Sequence, residues 1–323
     1  MGSHRFDLSD ARVHVAGHTG LVGSAVWRAL EAAGVGELIG WRSSEVDLTD
    51  RDATMEAIVG AVPDVVVMAA ARVGGILANA SGPVEFLHDN LRIQANVFEA
   101  AHRVGVDRLL FLSSSCVYPR LAPQPLRPES LLTGHLEPTN DAYAIAKLAG
   151  TIGVQAYRRQ YGRRWITAMP TNLYGPGDDF DLETSHVLPA MIRRFHEAAR
   201  DGVEEVVLWG TGTPRREFLH VDDLARALVH LLRVHDDPTP INVGTGEDLT
   251  IAELATLVAD VAGYGGRIAW DPSRPDGTPR KVLDVGPITA LGWRPEVALT
   301  DGVRSTLEWY RGTVDRTGAP EGA

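Results

Sequence analysis

A glycine-rich turn between a strand-like run and a helical run most constrains how this 323-residue chain can fold. Residues 12–16 have the apolar, β-branched composition of a buried strand, and residues 24–30 have a helical pattern. Between them, Gly17, Gly20 and Gly23 permit a tight turn, close approach of backbone N–H groups to a pyrophosphate, and close helix–strand packing. The helix N-terminus adds its positive dipole end. This order of elements predicts a dinucleotide site rather than a turn without a ligand.

The second strand-like run, residues 37–41, should end beside the adenosine ribose of such a dinucleotide. An acidic residue there would bind the 2′-hydroxyl of NAD, whereas an arginine suits the 2′-phosphate of NADP. Arg42 follows the run, and no carboxylate occurs before Glu45. The sequence therefore favours NADPH/NADP+, the alternative being that Arg42 is only a solvated side chain.

Tyr143 and Lys147 supply groups that can act on a carbonyl. They lie four residues apart in an Ala-rich helical stretch, so phenol and ammonium share one face. A tyrosine with a pKa of about 10 needs a nearby cation to act as an acid at neutral pH, and Lys147 is expected to provide it. Ser114, after the strand-like residues 108–112, is expected to hold the carbonyl oxygen. Tyr143 and Lys147 alone are weak evidence for catalysis, because such spacing is common in helices. Downstream of a predicted dinucleotide-binding turn, they predict an enzyme that transfers a hydride.

Strand-like and helical runs alternate through the first half of the chain, for example a strand at 64–71 and a helix at 90–104. This alternation predicts an α/β fold, a Rossmann-type doubly wound parallel sheet. The pattern is less regular after residue 170, but residues 241–244 look like one more sheet strand. We therefore expect a smaller, interleaved α/β substrate-binding lobe. The predicted NADP-binding domain comprises residues 1–172 and about 217–245, and the lobe about 173–216 and 246–323.

Composition indicates a cytoplasmic enzyme. Hydrophobic residues make up 44% of the chain, yet no window approaches the ~18 apolar residues of a membrane span, and no signal peptide is visible. The single cysteine, Cys116, excludes an internal disulfide and suits a reducing compartment. A formal charge of −11 argues against nonspecific nucleic-acid binding, so an anionic ligand requires local basic clusters.

Three basic pairs in the second half could form such clusters: Arg193-Arg194, Arg215-Arg216 and Arg280-Lys281. Paired cations can bind phosphate oxygens, arginine in a bidentate manner. The alternative is that they are solvated charges of a helix face and of loops. Three pairs in an acidic chain favour a diphosphate ligand in addition to the cofactor.

Several longer motifs carry a resemblance to a known family. They occupy residues 15–23, 69–76, 114–119, 136–140, 170–176, 216–223 and 276–281. On these motifs the chain resembles the extended short-chain dehydrogenase/reductases and, among them, the GDP-L-fucose synthases. The resemblance runs from about residue 13 to residue 310. It implies 3,5-epimerisation of GDP-4-keto-6-deoxy-D-mannose, followed by NADPH-dependent reduction of the 4-keto group.

The resemblance also implies residue roles. Cys116 and His186 would exchange protons at C3 and C5, and either could be the acid or the base at each carbon. Tyr143 would protonate the C4 oxygen while Ser114 orients it, and Lys147 is expected to help lower the pKa of the thiol. From the residues alone, Cys116 would be read as a small core side chain and His186 as a helix cap.

Binding residues follow from the same resemblance, which implies no metal site and suggests a homodimer. The implied cofactor-binding residues are Gly17, Thr19, Gly20, Leu21, Val22, Gly23, Arg42, Leu112, Ser113, Tyr143, Lys147, Pro170, Asn172, Leu173 and His186. The implied substrate-binding residues are Asn172, Arg194, Trp209, Arg216, Asp276 and Lys281.

The chain departs from the family pattern at Thr19 and Ser43, where many relatives have basic residues, so Arg42 alone supports binding of a 2′-phosphate. Two other functions remain open. One is a nucleotide-sugar 4-ketoreductase or epimerase without 3,5-epimerisation, which would not need both Cys116 and His186. The other is a non-catalytic dinucleotide-binding regulator, which the intact tyrosine, lysine and glycines disfavour.

Overall fold

The computed structural model describes residues 6–317, so the outer ends of the two predicted domains, residues 1–5 and 318–323, lie outside the described residues. Strands and helices alternate in the first part. In chain order they are β1 (Arg12–Ala16), α1 (Leu21–Ala32), β2 (Glu37–Ile39), α2 (Arg51–Ala61), β3 (Val65–Met68), α3 (Ile76–Ser81), α4 (Pro83–Arg103), β4 (Arg108–Leu112), α5 (Asp141–Tyr161) and β5 (Ile166–Pro170).

Shorter strands prevail in the second part of the chain. They and their helices are β6 (Asn172–Tyr174), α6 (Val187–Asp201), β7 (Glu205–Trp209), β8 (Arg215–Arg216), β9 (Phe218–His220), α7 (Val221–Val234), β10 (Ile241–Val243), β11 (Leu249–Thr250), α8 (Ile251–Ala262), β12 (Arg267–Asp271), β13 (Arg280–Lys281), α9 (Gly286–Ala290) and α10 (Leu299–Thr317).

Six parallel strands form the central sheet in the order β10-β5-β4-β3-β1-β2. From β1 the chain moves outward to β2, and from β3 onward it builds in the opposite direction. Such a reversal opens a crevice at the carboxyl ends of the strands, where α/β proteins bind ligands. The predicted Rossmann-type doubly wound fold is confirmed, including the strand expected near residue 241.

Helices cover both faces of this sheet. α1 and α7 pack together on one face, and α2, α4 and α5 pack in a row on the other. The strands between them are apolar on both sides, as β3 illustrates with all its residues buried. Three predicted bounds were wrong: β2 ends at Ile39, before Trp41; β3 ends at Met68, before residue 71; and α4 begins at Pro83, well before residue 90.

A second apolar cluster lies among α6, α8 and α10, next to the parallel pair β7 and β12. Three short strands form a separate sheet in the order β11-β8-β13, and β6 pairs with β9. Ile288 in α9 packs into the core of the central sheet, although it follows the lobe segments in sequence. The exact division into two domains stays a prediction. No helix within residues 6–317 has both the length and the apolarity for crossing a membrane.

Candidate active site

The glycine turn leads from β1 into α1 at the carboxyl edge of the central sheet. Gly17 has a φ of +80°, and a Cβ there would lie 2.7 Å from the backbone of Ala70. A Cβ on Gly23 would lie 1.9 Å from the carbonyl oxygen of Gly17, so α1 can approach the turn only with glycine at this position. Gly20 is the N-cap of α1, and no side chain occupies the helix N-terminus. The first N–H groups of α1 therefore remain available to an anionic ligand, which fits the pyrophosphate of a dinucleotide.

The other residues implied to bind the cofactor follow the same edge of the sheet. Thr19, Leu21 and Val22 belong to the glycine turn and the start of α1, Arg42 follows β2, Leu112 and Ser113 end β4, Pro170 ends β5, and Asn172 and Leu173 begin β6. Arg42 is exposed, and its backbone N–H donates to the carboxylate of Glu45 at 2.7 Å. Glu45 is thus engaged by its own loop, which leaves the Arg42 guanidinium as the charged group beside the predicted ribose position.

Cys116 lies in a single 3-10 turn that follows β4. The hydroxyl oxygen of Ser114 caps this turn by accepting a hydrogen bond from the Cys116 backbone N–H at 3.1 Å. A serine at an N-cap is a strongly preferred arrangement because it satisfies a backbone donor of the turn. Ser114 therefore fixes the backbone that carries the sulfur.

Two side chains from distant parts of the sequence donate to the Cys116 sulfur. The amide of Asn140 lies 3.3 Å from Sγ, and the ammonium of Lys281 lies 3.7 Å from it. Burial by itself would raise the pKa of the thiol, but the charge of Lys281 and the hydrogen bonds from Ser114, Lys281 and Asn140 lower it below its usual value. Lys281, and not the Lys147 expected from the sequence, is the cation that contacts the sulfur.

Tyr143 and Lys147 lie on α5, with the ammonium 6.0 Å from the centre of the phenol ring. Burial raises the pKa of Tyr143, the charge of Cys116 raises it further, and a hydrogen bond with Ser114 lowers it. Lys147 donates to the Leu112 carbonyl at 3.0 Å, and burial lowers its pKa to about 7. The expected lowering of the phenol pKa by Lys147 is therefore not found in this structure. A raised pKa keeps the phenol protonated, which is the form that can donate a proton.

His186 is the N-cap residue of α6, but its side chain makes no capping hydrogen bond. Its loop rests on the segment before α3: the Gly75 N–H donates to the Thr184 carbonyl at 2.8 Å, and a Cβ on Gly75 would lie 2.4 Å from the Ser185 oxygen. His186 is exposed at the molecular surface, yet the atoms packed around its imidazole desolvate it and lower its pKa, and the charge of Lys281 lowers it further. The same ammonium thus acts on both Cys116 and His186.

In each of the three basic pairs, the first residue forms an ion pair and the second remains available to a ligand. Within residues 6–317, the first member of each pair binds a carboxylate: Arg193 with Glu197, Arg215 with Asp248, and Arg280 with Asp248. The second members, Arg194, Arg216 and Lys281, form no ion pair with any side chain that the structure describes, residues 6–313. Arg216 and Lys281 are register partners on β8 and β13, so they share one face of the small sheet. Three of the six predicted basic residues, Arg193, Arg215 and Arg280, therefore stabilise the fold and do not face a ligand with a free charge.

Three further residues are implied to bind substrate, and one of them, Asp276, contacts Arg216. Its guanidinium donates to the Asp276 carbonyl at 3.3 Å. The Asp276 carboxylate itself is engaged, accepting from the N–H of Thr211 at 2.8 Å and from its hydroxyl at 2.9 Å. Trp209 is 40% exposed near this turn, while Asn172 donates to the Glu217 carbonyl at 2.7 Å.

Asn140 and Glu137 were not assigned roles from the sequence, yet they line one cavity with Cys116 and Lys281. Asn140 is the N-cap of α5 but does not cap it; its amide turns to the sulfur, and its Oδ1 is buried without a partner among the described atoms. Glu137 is 8% exposed and pairs with Arg120 at 3.1 Å. An asparagine directly before a helix commonly caps it, but here the side chain contacts the sulfur instead.

Comparisons with known proteins show how far the similarity extends. A family model described as the NAD dependent epimerase/dehydratase family matches residues 13–244. The chain is 52% identical over 313 residues to GDP-L-fucose synthase 1 of Arabidopsis thaliana, a match that covers 96% of this chain and 97% of that protein. It is 49% identical over 318 residues to GDP-L-fucose synthase of Escherichia coli (strain K12), covering 96% and 99%.

Among solved structures, a gdp-l-fucose synthetase from Naegleria fowleri bound to NADP has a TM-score of 0.88 and 26% sequence identity to this chain. That match covers 97% of this chain and 98% of the other. The similarity therefore includes both the central sheet and the lobe.

Proposed function

This chain belongs to the NAD dependent epimerase/dehydratase family, and on that premise we propose that it converts GDP-4-keto-6-deoxy-D-mannose to GDP-L-fucose. The reaction comprises 3,5-epimerisation followed by NADPH-dependent reduction at C4. The observation that carries the proposal is the meeting of Cys116 with Lys281 beside the Ser114–Tyr143 pair. A reductase needs the second pair, but only proton exchange at carbon needs an activated thiol as well.

NADPH is the cofactor that fits the carboxyl edge of the central sheet. The glycine turn and the free N-terminus of α1 accommodate the pyrophosphate, and the exposed Arg42 guanidinium suits a 2′-phosphate. A solved relative is bound to NADP. When bound, the cofactor supplies the hydride for C4. Ser113, Pro170, Asn172 and Leu173 lie along the same edge and complete its site.

Cys116 and His186 carry out the epimerisation. The 4-keto group acidifies the protons on C3 and C5, because the resulting carbanion is delocalised as an enolate. Inversion requires that one group removes a proton and another returns one to the opposite face of the ring. Lys281 favours the thiolate of Cys116, which makes it a competent base. Because the pKa of His186 is lowered, its imidazolium gives up a proton more readily than that of an ordinary histidine.

Tyr143 completes the reduction by giving its proton to the C4 oxygen. The phenol is protonated because burial raises its pKa, and Ser114 lies within hydrogen-bonding reach of it to orient the oxygen. Lys147 donates to the Leu112 carbonyl, and its ammonium, 6.0 Å from the centre of the Tyr143 ring, contributes positive charge on this side of the site. The developing alkoxide is thereby stabilised by groups that are in place before the reaction.

The GDP portion binds on the lobe. The charges of Arg194, Arg216 and Lys281, which form no ion pair among the described side chains of residues 6–313, are offered to the diphosphate. Trp209 is 40% exposed, with the Arg274 guanidinium 5.1 Å from its ring centre, and the carbonyl of Asp276 holds Arg216 in place. We further propose a cytoplasmic homodimer, in agreement with the single free thiol and the surface helices α4 and α5.

Turnover of the keto-sugar in deuterated water tests both halves of the proposal. With NADPH present, we expect deuterium at C3 and C5 of the product together with oxidation of the cofactor. Oxidation without deuterium would identify a 4-ketoreductase, and deuterium without oxidation would identify an epimerase. Cofactor binding with no turnover of the sugar would support the non-catalytic regulator instead.

One variant distinguishes the role of the thiol from binding of the cofactor. Cys116→Ser should strongly reduce isotope exchange while leaving NADPH binding unchanged, because the sulfur lies in the cavity with Lys281 and not at the glycine turn. Equal loss of both properties would contradict the assignment of Cys116 as the proton-transferring group.

A further inference from the structure

Asp248 lies directly before β11, at the small sheet β11-β8-β13, and its side chain is 6% exposed. A buried carboxylate requires partners, because its removal from water is otherwise unfavourable. Asp248 binds the guanidinium of Arg215 at 3.1 Å and that of Arg280 through its other oxygen. Its backbone carbonyl also accepts from Arg215 at 2.8 Å.

The two arginines are register partners on parallel strands. Arg215 of β8 lies opposite Arg280 of β13, and each strand is only two residues long. Two backbone pairings fix the register of such strands weakly, and a shift by one residue would turn every side chain to the other face. By binding both arginines, Asp248 joins β8 to β13 in one register.

That register decides which cations enter the site. Because neighbouring residues of a strand point to opposite faces, binding Arg215 and Arg280 on one face presents Arg216 and Lys281 on the other. Lys281 then lies 3.7 Å from the Cys116 sulfur, and Arg216 donates to the Asp276 carbonyl at 3.3 Å. Asp248 touches neither the thiol nor the predicted diphosphate site.

We propose that Asp248 is a positioning residue, which holds β8 and β13 in the register that directs Lys281 to Cys116 and Arg216 to the substrate diphosphate. Its effect on Arg216 rests on the proposed function. Its effect on Lys281 can be measured without any sugar, since Cys116 is the single cysteine of the chain and its alkylation reports on that thiol alone.

Asp248→Asn tests the proposal because it keeps the shape of the side chain and removes its charge. We expect the pH midpoint of Cys116 alkylation by iodoacetamide to rise by about one unit, since Lys281 withdraws from the sulfur. We also expect KM for the GDP-sugar to rise about tenfold, while Kd for NADPH stays within about twofold. A merely structural role would lower thermal stability and leave the alkylation midpoint of the folded protein where it is.

Asp201→Asn is the matched control, because Asp201 pairs with Arg200 on the surface of α6 and should change neither quantity. If Asp248→Asn does not fold, Arg280→Gln is used for the same measurement. It removes the ion pair between Arg280 and Asp248 and leaves Asp248 paired with Arg215. An unchanged alkylation midpoint in the folded variant overturns the proposal. A shifted midpoint in a protein that turns over no GDP-sugar would support the positioning role and reject the proposed substrate.

Discussion

The cofactor edge of the central sheet and the small sheet β11-β8-β13 position their functional groups by different means. At the cofactor edge, strand ends and glycines set the geometry, as where a Cβ on Gly23 would lie 1.9 Å from the Gly17 oxygen. In the small sheet, side chains distant in sequence set it, as where Asp248 binds Arg215 and Arg280. The first site depends on local backbone conformation, and the second depends on long-range ion pairs.

This difference predicts that the two sites can be damaged separately. A change of backbone space at the glycine turn should remove NADPH binding and leave the thiol intact. A change of charge near β13 should alter the thiol and leave NADPH binding intact. If single variants changed NADPH binding and the thiol equally, the two sites would be structurally coupled and not independent.

Gly23→Ala should give the largest effect. The added Cβ would overlap the Gly17 carbonyl, so either α1 or the turn must move. We expect Kd for NADPH to rise about 100-fold, equivalent to about 3 kcal/mol, in a fluorescence titration. Gly60→Ala is the control: a Cβ there meets nothing within 4 Å, so it should leave Kd unchanged and stabilise α2 by about 0.5–1 kcal/mol. A normal Kd for Gly23→Ala would contradict the backbone account of this site.

The sequence predicted the cofactor edge well because its determinants lie close together along the chain. Strand, glycines and helix follow one another within about twenty residues, and each leaves a local pattern. Where bounds differed, as at Ile39, the strand ends directly before Gly40, where a Cβ would lie 2.7 Å from the His18 ring. The ion pairs of Arg215 and Arg280 left no such pattern, because their shared partner Asp248 is more than thirty residues from either one.

The two lysines provide the second test. Lys281→Met should raise the pH midpoint of Cys116 alkylation by about 1–2 units, because the cation 3.7 Å from the sulfur is lost. Lys147→Met should leave that midpoint unchanged and slow hydride transfer about 100-fold, as removal of a group acting at the C4 oxygen does. Alkylation rates from pH 5 to 10 and single-turnover oxidation of NADPH measure the two effects. If Lys147→Met shifted the thiol midpoint instead, the original sequence expectation would be restored.

This pair illustrates what local spacing cannot reveal. The four-residue step placed Lys147 beside Tyr143 correctly, since both lie on α5. It could not indicate Lys281, which reaches Cys116 across 165 positions of sequence through the register of β13. Asn140 was missed for a related reason, because its contact with the sulfur spans 24 positions of sequence and follows no local spacing.

The smallest expected effect concerns the lobe alone. Thr250 and Glu253 form a reciprocal capping box at the start of α8, directly after β11. Thr250→Ala should lower the free energy of unfolding by about 1 kcal/mol in urea titrations. Thr256→Ala in the same helix removes a hydroxyl that donates to the Ala252 carbonyl and should change the free energy of unfolding by less than about 0.5 kcal/mol. Kd for NADPH should remain unchanged in both variants, because α8 packs with α6 and α10 and not on the glycine turn. A weakened cofactor site in Thr250→Ala would mean that the small sheet transmits strain to the central one, and the separation of the two regions would fail.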